Sequence, residues 1–103
     1  MSIKDSYYGS DPNLYEEVRI DTMMYHRIRV IPSDFGDIES GKRNFLICRY
    51  KDEYKEGSHI ILEEYVRGEA TGKSLKKKIK YIYRGDGAYG INPIFCILEL
   101  QEV

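Results

Sequence analysis

Apolar and polar residues alternate from Met24 to Ile31, with Met24, His26, Ile28 and Val30 on one side and Tyr25, Arg27, Arg29 and Ile31 on the other. A period of two with β-branched residues predicts a strand, one face apolar and the other bearing two arginines. Pro32 ends it. Ser33 and Asp34 offer a helix cap, and Phe35 and Ile38 stand three apart, so a short helix is expected through Ser40. Gly41 follows, where a left-handed residue costs glycine nothing. Asn44 to Tyr50 reads as a second strand, residues 51–57 as a polar excursion ending at Gly57, and His59 to Val66 as a third strand. Arg67 to Gly72 reads as a connection turning on Gly68 and Gly72. Leu75 to Tyr83 predicts a fourth strand with Lys76, Lys78 and Lys80 on one face. A glycine-rich loop over 84–90 leads to Pro93 to Leu100, apolar enough for a strand covered on both faces.

Five strands and a helix after the first predict an α+β, mainly-β domain: a small five- to six-stranded barrel, closed or partly closed, with one or two short helices. An open sheet would leave a long edge unprotected. Residues 1–22 read as an N-terminal extension to a domain at 23–103. In that extension Ser10-Asp11-Pro12, followed by Glu16 and Glu17, predicts a short helix from Pro12 to Val18.

The 103 residues suit one domain. The polar N-terminus lacks the apolar core of a signal peptide, and no run approaches the roughly 20 apolar residues that cross a bilayer. A cytoplasmic protein without membrane contact is expected. Cys48 and Cys96 have no CxxC spacing and no histidine cluster, which predicts free thiols rather than a disulfide framework or a zinc site. Neither a metal nor a cofactor is called for.

The net charge of −1 removes the simplest case for nucleic-acid binding, a basic chain. The charge is uneven, however. Lys73, Lys76, Lys77, Lys78, Lys80 and Arg84 crowd one segment, and ten tyrosines occur with no tryptophan. Tyrosine serves strand faces, stacking platforms and contact surfaces alike.

The order His26-x-Ile28-x-Val30, short helix, Ser40-Gly41-Lys42-Arg43, Phe45-x-Ile47, polar loop, Ile60-x-Leu62-Glu63-Glu64-Tyr65 resembles a small ASCH-type family of bacteria and phages. Thr71-Gly72-Lys73 and Ile79-x-Tyr81-Ile82 resemble that family's later segments, so the likeness covers residues 25–100. It implies a PUA-like β-barrel with a cleft beside the helix, for which RNA or modified nucleosides are the proposed ligands. Some members hydrolyse N4-acetylcytidine, using a lysine, a threonine and a glutamate or arginine around the cleft. In the hallmark Gly-x-Lys-x-x-x-x-Arg, Gly41 matches the glycine, but the lysine position is Arg43 and the arginine position Cys48, with Arg49 one place late. A polar position is Leu46. Lys51-Asp52 stands for the family's Asp-Arg pair, and Ser58 replaces an acid. Arginine stays protonated and grips anions, whereas a catalytic lysine must lose its proton. The family's catalysis therefore looks lost here.

The candidate ligand-binding residues are Lys42, Arg43, Arg49, Tyr50, Tyr54, Glu63, Glu64 and Tyr65, with no catalytic residue among them. Glu63 and Glu64 cannot both face inward from one strand, and Tyr50, Lys51 and Tyr54 offer a lid over the cleft. Arg27, Arg29, Lys73, Lys76, Lys78, Lys80 and Tyr81 form a candidate nucleic-acid surface of the kind that tracks a backbone and stacks bases. Each residue also has a plainer role. Cations near a helix end satisfy its carbonyls, and lysines on an edge strand discourage aggregation. His26, on the apolar side of its strand, is expected in the core. The reading is a non-catalytic module, monomeric or homodimeric, that holds RNA or a nucleotide. A protein that occludes a host factor and a residual amidohydrolase are the rivals.

Overall fold

The computed structural model of the chain describes residues 25–87 and 90–103, together with the strand Glu17–Ile20. Among these residues six strands and one helix follow in the order β1 (Glu17–Ile20), β2 (His26–Val30), α1 (Pro32–Glu39), β3 (Phe45–Arg49), β4 (His59–Val66), β5 (Glu69–Arg84) and β6 (Phe95–Glu102). They form one sheet in the spatial order β1-β2-β4-β5-β6-β3, all antiparallel pairs except β2 with β4. The sheet curls into a half-barrel, and this small mainly-β domain carries α1 against β4. Its edges are β1 and β3.

The period of two decides which face is buried. Ile28 and Val30 of β2, Ile60 and Leu62 of β4, Ile79 of β5, Leu98 and Leu100 of β6 and Leu46 and Cys48 of β3 all point inward. Phe35 and Ile38 of α1 close the core. His26 is buried with them, its ring edge-on to Tyr54 with centroids 5.0 Å apart. Cys48 and Cys96 are both free and buried, and β3–β6 pairing brings their sulfurs to 3.9 Å. The Cys48 contact lowers the Cys96 thiol from its usual value, opposed by burial and aided by Arg84.

Local structure departs from the sequence expectations at four places. Glu17 and Val18, expected at the end of a helix, open strand β1, while the rest of that helix lies outside the described residues. The sheet thus takes in part of the segment read as an extension. Ser33 and Asp34 make no cap; Ile31 stands at the N-cap without a side-chain bond, and Pro32 starts the helix. The expected connection at 67–72 is a two-residue turn at Arg67 and Gly68, both at positive φ as a tight hairpin requires. Strand β5 therefore begins at Glu69, and Gly72, with φ +95°, lies in a bulge within the strand. Finally, β6 is covered fully on one face only, its inward residues alternating with half-exposed ones.

Gly36 lies inside α1 with open space around the position a Cβ would take. Glycine costs a helix interior about 0.5–1 kcal/mol relative to alanine, through unfolded-chain entropy. Gly36→Ala should therefore add that much stability and raise the urea midpoint, and an unchanged or lower midpoint would refute the placement.

Candidate nucleic-acid interface

The outer face of β2, β4 and β5 gathers residues that are far apart in sequence. Parallel pairing aligns Arg27 with Ile61 and Arg29 with Glu63, and antiparallel pairing sets Lys76 opposite Ile61 and Lys78 opposite His59. The Tyr25 and His59 rings meet with centroids 5.0 Å apart, and the Lys76 ammonium lies 4.9 Å over the Tyr25 ring. The Arg29 guanidinium lies 4.6 Å over Tyr65. Each contact is in cation–π range. Arg27 Nη1 reaches Glu63 Oε2 at 2.7 Å with both side chains half-buried. Ile61, on this same outward side, is nonetheless 7 % exposed. Long basic side chains cover apolar surface in this way while their charged ends stay in water. Among the described residues of β2, β4 and β5, this face carries four cations, Arg27, Arg29, Lys76 and Lys78, against the one carboxylate of Glu63.

The remaining surface candidates stand elsewhere. Lys73 turns to the helix side, its ammonium 5.3 Å over the Phe35 ring and 3.5 Å from Glu39. A bulge between Ile79 and Tyr81 moves Lys80 and Tyr81 to the β6 half of the sheet, where Lys80 pairs with Glu99 at 3.7 Å and Tyr81 is 53 % exposed.

Of the cleft candidates, Arg43 lies just past α1 and is engaged by it. Its Nη1 and Nη2 each reach a helix carboxylate at 3.0 Å, Asp34 and Asp37, and its guanidinium is 5.5 Å from the Phe45 ring. Lys42 is exposed beyond the helix end. Arg49 faces outward on β3, half-buried. The loop tyrosines do not form a lid. Tyr54 is buried in the core, and Tyr50 packs against it under the Arg84 guanidinium, 4.1 Å away. The glutamates divide as strand parity demands: Glu63 faces outward and Glu64 inward, 9 % exposed. In the β5 bulge the Thr71 hydroxyl donates to Glu64 Oε1 at 2.7 Å and accepts from the Lys73 N–H at 3.3 Å. Thr71 was legible only as part of a family segment; its role as partner of Glu64 depends on the bulge.

Among the described residues, no group of three or more His, Cys, Asp or Glu is placed to hold a metal, and no helix is long and apolar enough to cross a membrane. The fold and this face define a small mainly-β half-barrel with one helix and a basic, ring-bearing sheet surface. A family model matches residues 25–100, and the chain belongs to that family, a domain of unknown function, DUF3850. The match begins at Tyr25, the first ring of the outer face. Comparison with the curated proteins found no match.

Proposed function

We propose that this domain is a PUA-like barrel of the ASCH type that binds single-stranded RNA without turning it over, across the outer face of β2, β4 and β5. The observation that carries the reading is the pair of cation-on-ring stacks on one face, Arg29 on Tyr65 and Lys76 on Tyr25, with His59 beside Tyr25. Unstacked bases lie on aromatic rings and on guanidinium planes, and neighbouring lysines follow the phosphates. The exposed guanidinium of Arg29 offers such a plane, backed by a ring. Absence of turnover is supported on the helix side. Arg43, at the family's lysine position, is held by two carboxylates, and Leu46 and Cys48 point into the core instead of a cleft. A cytoplasmic location accords with this reading.

The test is titration of a labelled single-stranded RNA by anisotropy, with amide shifts followed by NMR. Binding is expected at physiological salt in the range of about 1–100 μM, the strength of non-specific phosphate contacts. With about three phosphates neutralised, the log–log salt slope should be about −2. Shifts should centre on residues 25–29, 59–65 and 74–78, and Arg29→Ala with Lys76→Ala should weaken binding about tenfold or more. No binding at ~1 mM protein, far weaker than the non-specific range, would end the reading. Shifts confined to 42–50 and 71–73 would move the ligand to the helix side. Turnover of N4-acetylcytidine, or nuclease-insensitive recovery of one stoichiometric protein partner, would replace the reading with an enzyme or an inhibitor.

A further inference from the structure

Strands β3 and β6 set two thiols face to face. In an antiparallel ladder, opposite residues exchange both backbone bonds only at alternate positions, and the Cα atoms of such a pair stand about 5.5 Å apart. The Leu100 N–H donates to the Asn44 carbonyl at 2.7 Å and the Tyr50 N–H to the Ile94 carbonyl at 2.8 Å, in the same register as β3–β6. Cys48 and Cys96, directly opposite each other, are therefore a hydrogen-bonded pair. Their spacing falls within the roughly 4.4–6.8 Å that disulfides take between Cα atoms. Both side chains lie in the same core, and their sulfurs meet at 3.9 Å, an S–H···S contact. A disulfide bond is about 2.05 Å long, which leaves about 2 Å to close, within the sweep of a side-chain rotation.

The surroundings favour reaction at Cys96. Arg84 stands opposite it on β5, its guanidinium over the ring of Tyr50 at the margin of the core. Contact with Cys48 lowers the Cys96 thiol and the Arg84 charge adds to this, against burial. A lowered thiol holds more thiolate, the nucleophilic form. Access comes through β3, an edge strand of five residues that among the described residues is paired on one side only. Such segments open at lower free energy than the whole fold. Opening of β3 uncovers both sulfurs, whose residues are 1 % and 0 % exposed when it is closed.

We propose that Cys48 and Cys96 are a reversible redox pair, oxidised by hydrogen peroxide to a cross-strand disulfide that fastens β3 to β6. The Cys96 thiolate attacks one peroxide oxygen. The S–O bond forms as the O–O bond breaks, and the departing hydroxide takes the proton that Cys96 released and becomes water. The Cys48 sulfur then attacks the sulfenic sulfur of Cys96. The S–S bond forms, the S–O bond breaks, and hydroxide leaves with the Cys48 proton as a second water. The two thiols give up two electrons, the peroxide accepts them, and a small-molecule dithiol reverses the change by thiol–disulfide exchange.

Intact-mass analysis of the natural chain treated with hydrogen peroxide tests this. The folded chain should lose the mass of two hydrogens, and a dithiol should restore them. The oxidised chain should have the higher urea midpoint, because the bond closes a long loop in the unfolded state. Below the unfolding transition the oxidation rate should change little with urea, as expected when only the edge opens. Cys48→Ala, lacking the second thiol, should stop at a Cys96 sulfenic acid that dimedone traps. A chain that loses no mass or gains only oxygen overturns the proposal, as does a disulfide joining two chains. So does a rate that climbs with urea as steeply as unfolding, or a folded Cys48→Ala chain that yields no adduct. If that variant fails to fold, the mass and the urea dependence of the natural chain still decide.

Discussion

Phe35→Ala is expected to remove about 3–5 kcal/mol of stability, the usual range for emptying a buried aromatic site. Single domains have about 5–15 kcal/mol in total, so this one change reaches much of the margin. Phe35 is fully buried, and Ile38 is its only fellow core residue on α1. The helix has eight residues, too few to persist in water without tertiary contacts. Its attachment therefore rests on these two side chains, with the Arg43 clasp to Asp34 and Asp37 as a lesser contribution from half-exposed groups. Loss of the ring should loosen α1 and open the inner face to water, including Leu62 of the adjacent strand β4. Urea unfolding checks this; a loss below about 1 kcal/mol would show that the helix is not a structural part of the core.

Gly85→Ala should produce the second large loss, about 1–3 kcal/mol by overpacking. A Cβ there would drive into the Asn92 carbonyl oxygen, and it would lie 2.7 Å from Ile91 Cγ2 and 2.9 Å from the Ile91 carbonyl oxygen. Two of the three obstacles are backbone atoms, so no rotamer change relieves them. Nor can Gly85 withdraw freely, because its N–H donates to the Phe95 carbonyl at 2.9 Å at the start of β6. A domain of this size loses about 4–8 °C in Tm per kcal/mol. A drop of that order, with amide shifts over 91–95, is the expected result, and a neutral variant would contradict the close approach of these two loop ends. Gly36→Ala, in open space, should move the opposite way.

Five of the six strands and the helix were legible from the pattern of apolar residues, because at least one side of each is covered. The four residues of β1 were not. Pro12 with Glu16 and Glu17 imitates a helix start, and only pairing with β2 makes a strand of Glu17–Ile20. Gly72 reads as a turn because the bulge that uses it depends on the opposing strand. Cations on the outer face were visible in the alternation of Arg27 with Arg29 and Lys76 with Lys78. Tyr25 was visible beside Arg27 and Arg29, but its stack with His59 was not, since parallel pairing of β2 with β4 is what brings the two rings together. Tyr54 reads as a lid residue from its polar neighbours, yet it is the one large apolar side chain of the 51–57 excursion and fills the core. Arg43 could be named as a non-lysine, but its two carboxylate partners follow from the helix turning back over it.

The order of strands in the sheet has a consequence for synthesis of the chain. Emerging from its N-terminal end, the chain delivers β2, α1 and β3 before any of β4, β5 or β6 exists. Among the described residues, β3 has β6 as its one strand neighbour, and the paired residues Cys48 and Cys96 are 48 positions apart. Throughout that interval Leu46 and Cys48, both destined for the core, have no sheet to join, whereas β4, β5 and β6 meet as successive neighbours once made. The C-terminal meander is thus the template, and β3 must wait for it.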